Sequence, residues 1–338
     1  MRRLGIALNI LLLVVGLVVL AKAADAFVLA AARLAVTLRI SPLVVGAVVI
    51  GFGTGAPELL VSSLAAARGS LDIAMGNVVG SNLANLTLVL GVAGMIARPE
   101  ILPRVVRREG PVAFSAVALF ALLLQGGLSR AEGLIFLGAL AAALSLMLRG
   151  AEVPTAPVEA AEAVAEAEYV EELEEFVEEP GEKALPDVVA ASTSRDLLRG
   201  ALGLIGTVAG AQFLVVAAQR IAGDLGLSGG FVGLTLVAVG TSLPELVTAI
   251  QSARRNETAL LAGNVLGSNV FNSTAVAGTA ALIGPGRIDD SGLTLVASSA
   301  MVVIAALAWL FLGLGGRLRR WEAAVLLGIY GVTLPFLA

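Results

Sequence analysis

One pattern occurs twice in this chain, 187 residues apart, and it restricts the possible folds more than anything else in the sequence. Gly53-Thr54-Gly55-Ala56-Pro57-Glu58 recurs as Gly240-Thr241-Ser242-Leu243-Pro244-Glu245. Gly76-Asn77-Val78-Val79-Gly80-Ser81-Asn82 recurs as Gly263-Asn264-Val265-Leu266-Gly267-Ser268-Asn269. The offset is constant from Gly46/Gly233 to Gly91/Gly278, with no insertion. Each copy lies in a long apolar segment, and each places one carboxylate, Glu58 or Glu245, well inside it. Carboxylates at bilayer depth are costly and mark ion pathways, and a fixed internal period marks matched structural units.

The surrounding composition makes the bilayer unavoidable. Hydrophobic residues make up 58% of the chain and charged residues 14%, against about 25% charged in soluble domains. Mean hydropathy is +0.94, and several runs exceed the roughly 18 apolar residues that cross a bilayer. The fold class is therefore an all-α polytopic membrane protein. Cysteine is absent, which excludes disulfides and thiol chemistry; histidine is absent too, which removes the usual neutral-pH proton switch and the commonest transition-metal ligand.

The net charge of −4 conceals an asymmetry. Residues 150–195 hold 13 of the 26 acidic residues and only Lys183 and Arg195 as bases, a local sum of −11, leaving +7 for the rest. An acidic, Ala/Glu-rich, partly helical linker with prolines at 154, 157, 180 and 186 thus separates two apolar halves, and it reads as a solvated tether. The expected organisation is a first five-helix unit over 1–149, the linker over 150–195 and a second five-helix unit over 196–338. Hydropathy and turn residues predict spans near 4–34, 42–67, 72–97, 110–125 and 130–149, then 197–221, 229–253, 258–283, 291–314 and 320–337. Arg2, Arg3 and Ala21-Lys22-Ala23 resemble a cleavable leader. The second half has an equivalent helix, with Arg33 matching Arg220, so the first segment reads as a retained span.

An odd number of spans per half forces opposite insertion, giving an inverted repeat about an axis in the membrane plane. Loops on the N-terminal side hold six basic residues and those on the other side fifteen. The positive-inside rule then puts the N-terminus outside and the 150–195 loop in the cytoplasm.

Each glutamate follows a proline. Pro57 and Pro244 cannot donate to the carbonyls of Gly53 and Gly240, and backbone freed at this depth is tolerated only inside protein or beside a ligand. Thr54 and Thr241 lie one turn before the glutamates, on the same face. Carboxylate, hydroxyl and carbonyl are the oxygen ligands of hard cations. On the following span, Asn77, Ser81 and Asn85 form an i, i+4, i+8 stripe repeated as Asn264, Ser268 and Asn272. Such a stripe faces away from lipid, towards the glutamates; interhelical hydrogen bonding is its other use, expected in part at Asn77 and Asn264. Asp25, three residues after Lys22 and matched by Gln212, reads as structural.

These paired motifs resemble the two alpha repeats of the cation/Ca²⁺ exchanger superfamily, close to the prokaryotic Na⁺/Ca²⁺ exchangers. The resemblance covers both halves and excludes the acidic linker. It implies ten transmembrane helices in two inverted five-helix repeats, with ion sites between the second, third, seventh and eighth. It implies a Ca²⁺ site at Glu58 and Glu245 with the Thr54 and Thr241 carbonyls. Flanking Na⁺ sites would use Ser81, Ser268, Ser242 and the backbone of Ala238 and Gly51, with Asn85 and Asn272 nearby. Two departures stand out. Gly55 replaces a serine of the common motif, and Asn272 stands where several members, including the K⁺-dependent branch, carry aspartate.

Two ionised glutamates supply −2, which one Ca²⁺ neutralises; three Na⁺ would leave +1. Either ion set compensates the carboxylates, so the sets compete, and protons are a third way to neutralise them. The chain therefore reads as a secondary antiporter exchanging Ca²⁺ for Na⁺ by alternating access. Its partners are the bilayer and small inorganic cations, with no cofactor and no nucleic acid. A Ca²⁺/H⁺ antiporter using the same glutamates, or a passive cation channel, are the alternatives at this stage. Enzymatic chemistry finds no nucleophile–base constellation.

Overall fold

A computed structural model describes residues 2–37, 44–100, 105–148, 185–224, 238–288, 290, 292–314 and 316–337. The first half begins with α1, Arg2–Thr37. Helix α2 is broken: Val45–Thr54 and Ala56–Ala67 meet at Gly55 with a 46° bend. Helix α3 runs Leu71–Ala97 through a π-helical turn at Asn85–Val89. Helix α4 opens on a π turn, Val105–Glu109, and continues as Gly110–Leu123; α5 is Arg130–Leu148. The second half begins with α6, Leu185–Asp224, followed by α7, Ala238–Thr241 and Leu243–Arg254, broken at Ser242. Helix α8 is Thr258–Phe271, a π turn at Asn272–Val276, and Ala277–Ile283. Gly292–Gly313 forms α9 and Arg320–Leu337 forms α10. Part of the sequence-predicted span over 229–253 falls outside the described residues, as does most of the acidic linker. Helix α6 begins at Leu185, ten residues before the expected end of that linker, with Pro186 in its first turn, where a missing N–H costs nothing.

The repeat extends beyond the motifs. Gly51/Ala238, Ala56/Leu243, Leu71/Thr258, Asn85/Asn272 and Val105/Gly292 all open equivalent elements 187 residues apart. Only two isolated bridges interrupt the helical architecture among the described residues. Leu128 pairs with Gly286, and Glu100 with Arg317. The first joins the α4–α5 turn to the α8–α9 turn, and the second joins the α3–α4 turn to the α9–α10 turn.

The exterior is apolar, and polar side chains are enclosed within an otherwise apolar interior. Leu60, Ile73, Leu122, Leu134, Ile205 and Val303 are exposed, while Glu58, Ser81, Asn85, Glu245, Ser268 and Asn272 are buried. A water-soluble fold does the opposite. Among the described residues, four helices are long and apolar enough to cross a membrane, or five with the bent pair in α2 counted as one span. Helix α8 differs because its interior carries Asn264, Ser268, Asn269, Asn272, Ser273 and Thr274, all buried.

Glycines let the two halves meet at their centre. An ideal Cβ at Gly51 would lie 3.0 Å from the Ser268 nitrogen, and one at Gly267 would lie 2.5 Å from the Ala47 Cα. The α2–α8 crossing is thus a backbone-to-backbone contact, as small residues permit in membrane helices. Helices α1 and α6 pack in the same manner, with Gly203 against the Phe27 nitrogen and Gly210 against the Leu20 nitrogen, each 2.8 Å from an ideal Cβ. Asp25 is engaged differently from its expected proximity to Lys22. Its Oδ1 accepts from Nε of Arg255, the residue that caps α7, at 2.9 Å, with Arg255 Nη2 also at 2.9 Å. A distant helix end supplies the cation, and sequence spacing cannot reveal it.

Gly267→Val is expected to cost more than the ~1–3 kcal/mol of ordinary overpacking, because the obstacle is backbone and cannot rotate away. Loss of a monodisperse peak in detergent size-exclusion chromatography would register it. Gly138→Val, where an ideal Cβ meets nothing within 4 Å, should elute as the parent does.

Candidate ion-binding site

The breaks in α2 and α7 place the two carboxylates. Pro57 and Pro244 occupy the first turn of each second arm, so that arm starts afresh after Gly55 or Ser242 and presents Glu58 or Glu245 in its first turn. There the exposed N–H groups and the helix dipole favour an anion. Glu58 and Glu245 are 0% and 1% exposed. Thr54 and Thr241 end the first arms, whose last turns are Gly51–Thr54 and Ala238–Thr241. Thr54 stands beside Glu245, and Thr241 beside Glu58, so each threonine neighbours the other repeat's carboxylate. The Thr54 hydroxyl directs its own hydrogen to the Ile50 carbonyl at 2.9 Å, which leaves its lone pairs towards the site.

The polar stripe of the following helix braces this arrangement. Asn77 Nδ2 donates to the Glu58 carbonyl at 3.4 Å and to Ser62 Oγ at 3.0 Å. Asn264 Nδ2 donates to the Glu245 carbonyl at 3.3 Å and to Thr248 Oγ1 at 3.1 Å. Two further contacts cross between the repeats: Ser242 Oγ donates to Glu58 Oε1 at 3.2 Å, and Ser268 Oγ donates to the Gly51 carbonyl at 3.2 Å.

Many polar atoms here are enclosed without a hydrogen-bond partner: Glu58 Oε2, both Glu245 carboxylate oxygens, Ser81 Oγ, and the side-chain amides of Asn85 and Asn272. Leaving such groups unpaired costs about 1–3 kcal/mol each, and more when charged. Oxygen atoms dominate the set, which suits a hard cation. No cluster of three or more His, Cys, Asp or Glu side chains occurs among the described residues, so the charge of this centre rests on two glutamates.

The model of the family described as "Sodium/calcium exchanger protein" matches residues 8–149 and 197–338. The chain is 35% identical over 322 residues to the putative antiporter CaxA of Alkalimonas amylolytica, covering 93% of both proteins. It is 30% identical over 342 residues to the sodium/calcium exchanger MaX1 of Methanosarcina acetivorans, covering 96% of this chain and 97% of that one. Its fold superimposes on the sodium-calcium exchanger NCX_Mj, solved in 10 mM Na⁺ and zero Ca²⁺, with a TM-score of 0.80 and 28% identity over 98% of this chain and 99% of the other. This chain belongs to the sodium/calcium exchanger family.

The exchanger is thus a multi-pass membrane transporter of the antiport class and not an enzyme. Several of its enclosed polar residues escape sequence reasoning. Ser62 and Thr248 do the same work but sit one register apart in the two repeats, since 187 residues after Ser62 comes Ala249. A search for identical positions passes over them. Asn82 Nδ2 donates across the halves to Ser273 Oγ at 3.0 Å, whereas its counterpart Asn269 turns back to the Val265 carbonyl at 2.7 Å. The π turns inside α3 and α8 are silent in the sequence as well; they start at the asparagine that ends the stripe, Asn85 or Asn272. Such turns recur at functional sites.

Replacing Asn77 with alanine would remove the donor to Ser62 Oγ, which keeps only its own bond to the Ala74 carbonyl at 3.2 Å, and would loosen the Glu58 carbonyl. A loss of about 1–2 kcal/mol is expected, read as a lower melting temperature in detergent. Asn264→Ala should lose a similar amount, because its bonds are equivalent.

Proposed function

We propose that this exchanger moves Ca²⁺ out of the cytoplasm against entering Na⁺ by alternating access, with Glu58 and Glu245 as the shared ligands for both ions. The observation that carries this reading is the pair of enclosed carboxylates, one at each helix break, with three of their four oxygens unpartnered. A charge of −2 in so dry a place demands compensation, and one Ca²⁺ supplies it. Thr54, Thr241, Ser242, Ser81, Ser268, Asn85 and Asn272 complete the ligand set, with backbone oxygens at Gly51 and Ala238. Competition between ion sets for the same two charges makes exchange obligatory. The names of MaX1 and NCX_Mj support this choice of ions.

In this reading the chain forms ten transmembrane helices as two inverted five-helix repeats, 1–149 and 196–338, with the N-terminus outside. The acidic 150–195 segment is a cytoplasmic tether. Support comes from the paired bridges: Glu100–Arg317 and Leu128–Gly286 lie at near-equivalent repeat positions, yet connect turns at opposite ends of the predicted spans. An inverted repeat produces that relation, and a direct repeat would place both at one end.

Radiolabelled Ca²⁺ uptake into proteoliposomes, with Na⁺ and pH gradients imposed separately, tests the ions. Uptake should follow an outward Na⁺ gradient; uptake driven by pH alone would assign the coupling to protons. Removing one partner of a buried charge pair costs about 3–5 kcal/mol, on the order of 100-fold or more in affinity. Glu58→Gln and Glu245→Gln should therefore reduce transport to background. Saturating Ca²⁺ should raise the melting temperature of the parent protein, at about 2.7 kcal/mol for 100 times Kd, and leave both variants unmoved. Transport retained in both variants would remove the glutamates from the mechanism.

A further inference from the structure

The two half-sites are built differently at one point. Ser242, which donates to Glu58, corresponds in the repeat to Gly55. By that equivalence, a hydroxyl at 55 would face Glu245, whose carboxylate oxygens accept no hydrogen bond. Backbone conformation does not require the glycine. Gly55 has φ −76° and ψ 2°, and Ser242 has φ −85° and ψ 6°, so any L-residue fits either backbone.

Space excludes the side chain instead. An ideal Cβ at Gly55 would lie 2.7 Å from Cδ1 and 2.9 Å from Cε1 of Phe271. That ring is 8% exposed and packs on Phe52 with ring centroids 4.7 Å apart. In the other repeat the position of Phe271 is taken by Ala84, 2% exposed. One half therefore combines a hydroxyl with a methyl group, and the other combines no side chain with a phenyl ring. The ring carbons nearest Gly55 offer no lone pair, so this wall cannot ligate a cation where the hydroxyl of its counterpart can.

We propose that Phe271 is a specificity-determining residue: its ring seals the half-site beside Glu245, so that one divalent cation exchanges for two monovalent cations with no net charge moved. The inference rests on the antiport reading above and concerns its stoichiometry. Two carboxylates, neutral Asn85 and Asn272, and no third acid in the cluster give −2, matched equally by one Ca²⁺ or two monovalent ions. A third monovalent ion would add an uncompensated charge against an apolar edge.

The test uses the purified full chain in proteoliposomes, with K⁺ and valinomycin setting the voltage. Ca²⁺ uptake against Na⁺ is expected to proceed at the same rate at inside-positive and inside-negative potentials, with no current on a solid-supported membrane. The Hill coefficient for Na⁺ should not exceed about two, since it is bounded by the number of sites. Gly55→Ser with Phe271→Ala restores the hydroxyl and removes the ring. It should make transport voltage-dependent and raise the Hill coefficient above the parent's, while Gly55→Ser alone should not. Should the double variant fail to fold, Phe271→Ala alone, which opens the space to water, is expected to steepen the Na⁺ dependence. Ca²⁺ flux in the parent that carries current would overturn the inference, as would variants lacking the ring whose Na⁺ dependence matches the parent's. Absence of Ca²⁺ flux under every gradient would instead remove the antiport reading itself.

Discussion

Two carboxylates enclosed in one dry interior are the constraint from which the rest of this structure follows. An isolated ionised carboxylate is costly in a low-dielectric medium, and two of them near each other add repulsion. Burial is nevertheless complete at Glu58 and nearly so at Glu245. The chain answers by surrounding the glutamates with hydroxyls and amides inside an otherwise apolar core. It breaks α2 and α7 where the glutamates sit, so that helix N-termini face the negative charge. Tight crossings follow as well. Enclosed polar groups of α2 can meet those of α8 only if the backbones nearly touch, and Gly51 and Gly267 lie against Ser268 and Ala47.

Much of this was legible in the sequence because the demands are local. A Pro-Glu pair preceded by glycine can do few things inside an apolar helix, and both breaks fall where those residues put them. The stripe Asn77-Ser81-Asn85 and its repeat obey helical spacing, so their burial on one side follows from geometry alone. Span ends were readable to within a few residues at Leu71–Ala97, Arg130–Leu148 and Gly292–Gly313. What stayed hidden depends on partners far away in the chain. Asp25 pairs with Arg255, 230 residues on, and the Asn82 amide nitrogen donates to Ser273, 191 residues on. Neither partner repeats at the 187-residue offset, so the signal that exposes the motifs is blind to them. The π turns are invisible for another reason: a single extra residue per turn leaves no mark on composition or periodicity.

The two repeats agree closely in backbone and loosely in side chains, and physics explains the difference. Helix starts, breaks and π turns recur at one offset because the two copies of the repeat share one backbone scaffold. Side chains are held to a weaker condition, that the enclosed oxygens add up. Ser62 braces Asn77 from one register and Thr248 braces Asn264 from the next, with hydrogen bonds of 3.0 and 3.1 Å. The brace has survived while its position has moved, which is what is expected when the interaction and not the residue is under constraint.

Where divergence touches charge or oxygen count, the constraint is stricter and a change must be compensated. Losing a hydroxyl at position 55 while keeping a polar space there would leave Glu245 facing an unlined hollow. The ring of Phe271 removes the hollow together with the ligand, and Phe52 holds the ring in place. Glycine and phenylalanine therefore form one unit: either change alone would open a void or create a clash, and together they keep the interior packed. A site that loses a ligand and is then filled by apolar atoms has been closed, whereas one that merely loses a ligand has only been weakened. Here the Gly55–Phe271 pair is of the first kind, because packed ring carbons occupy the space that a hydroxyl would line.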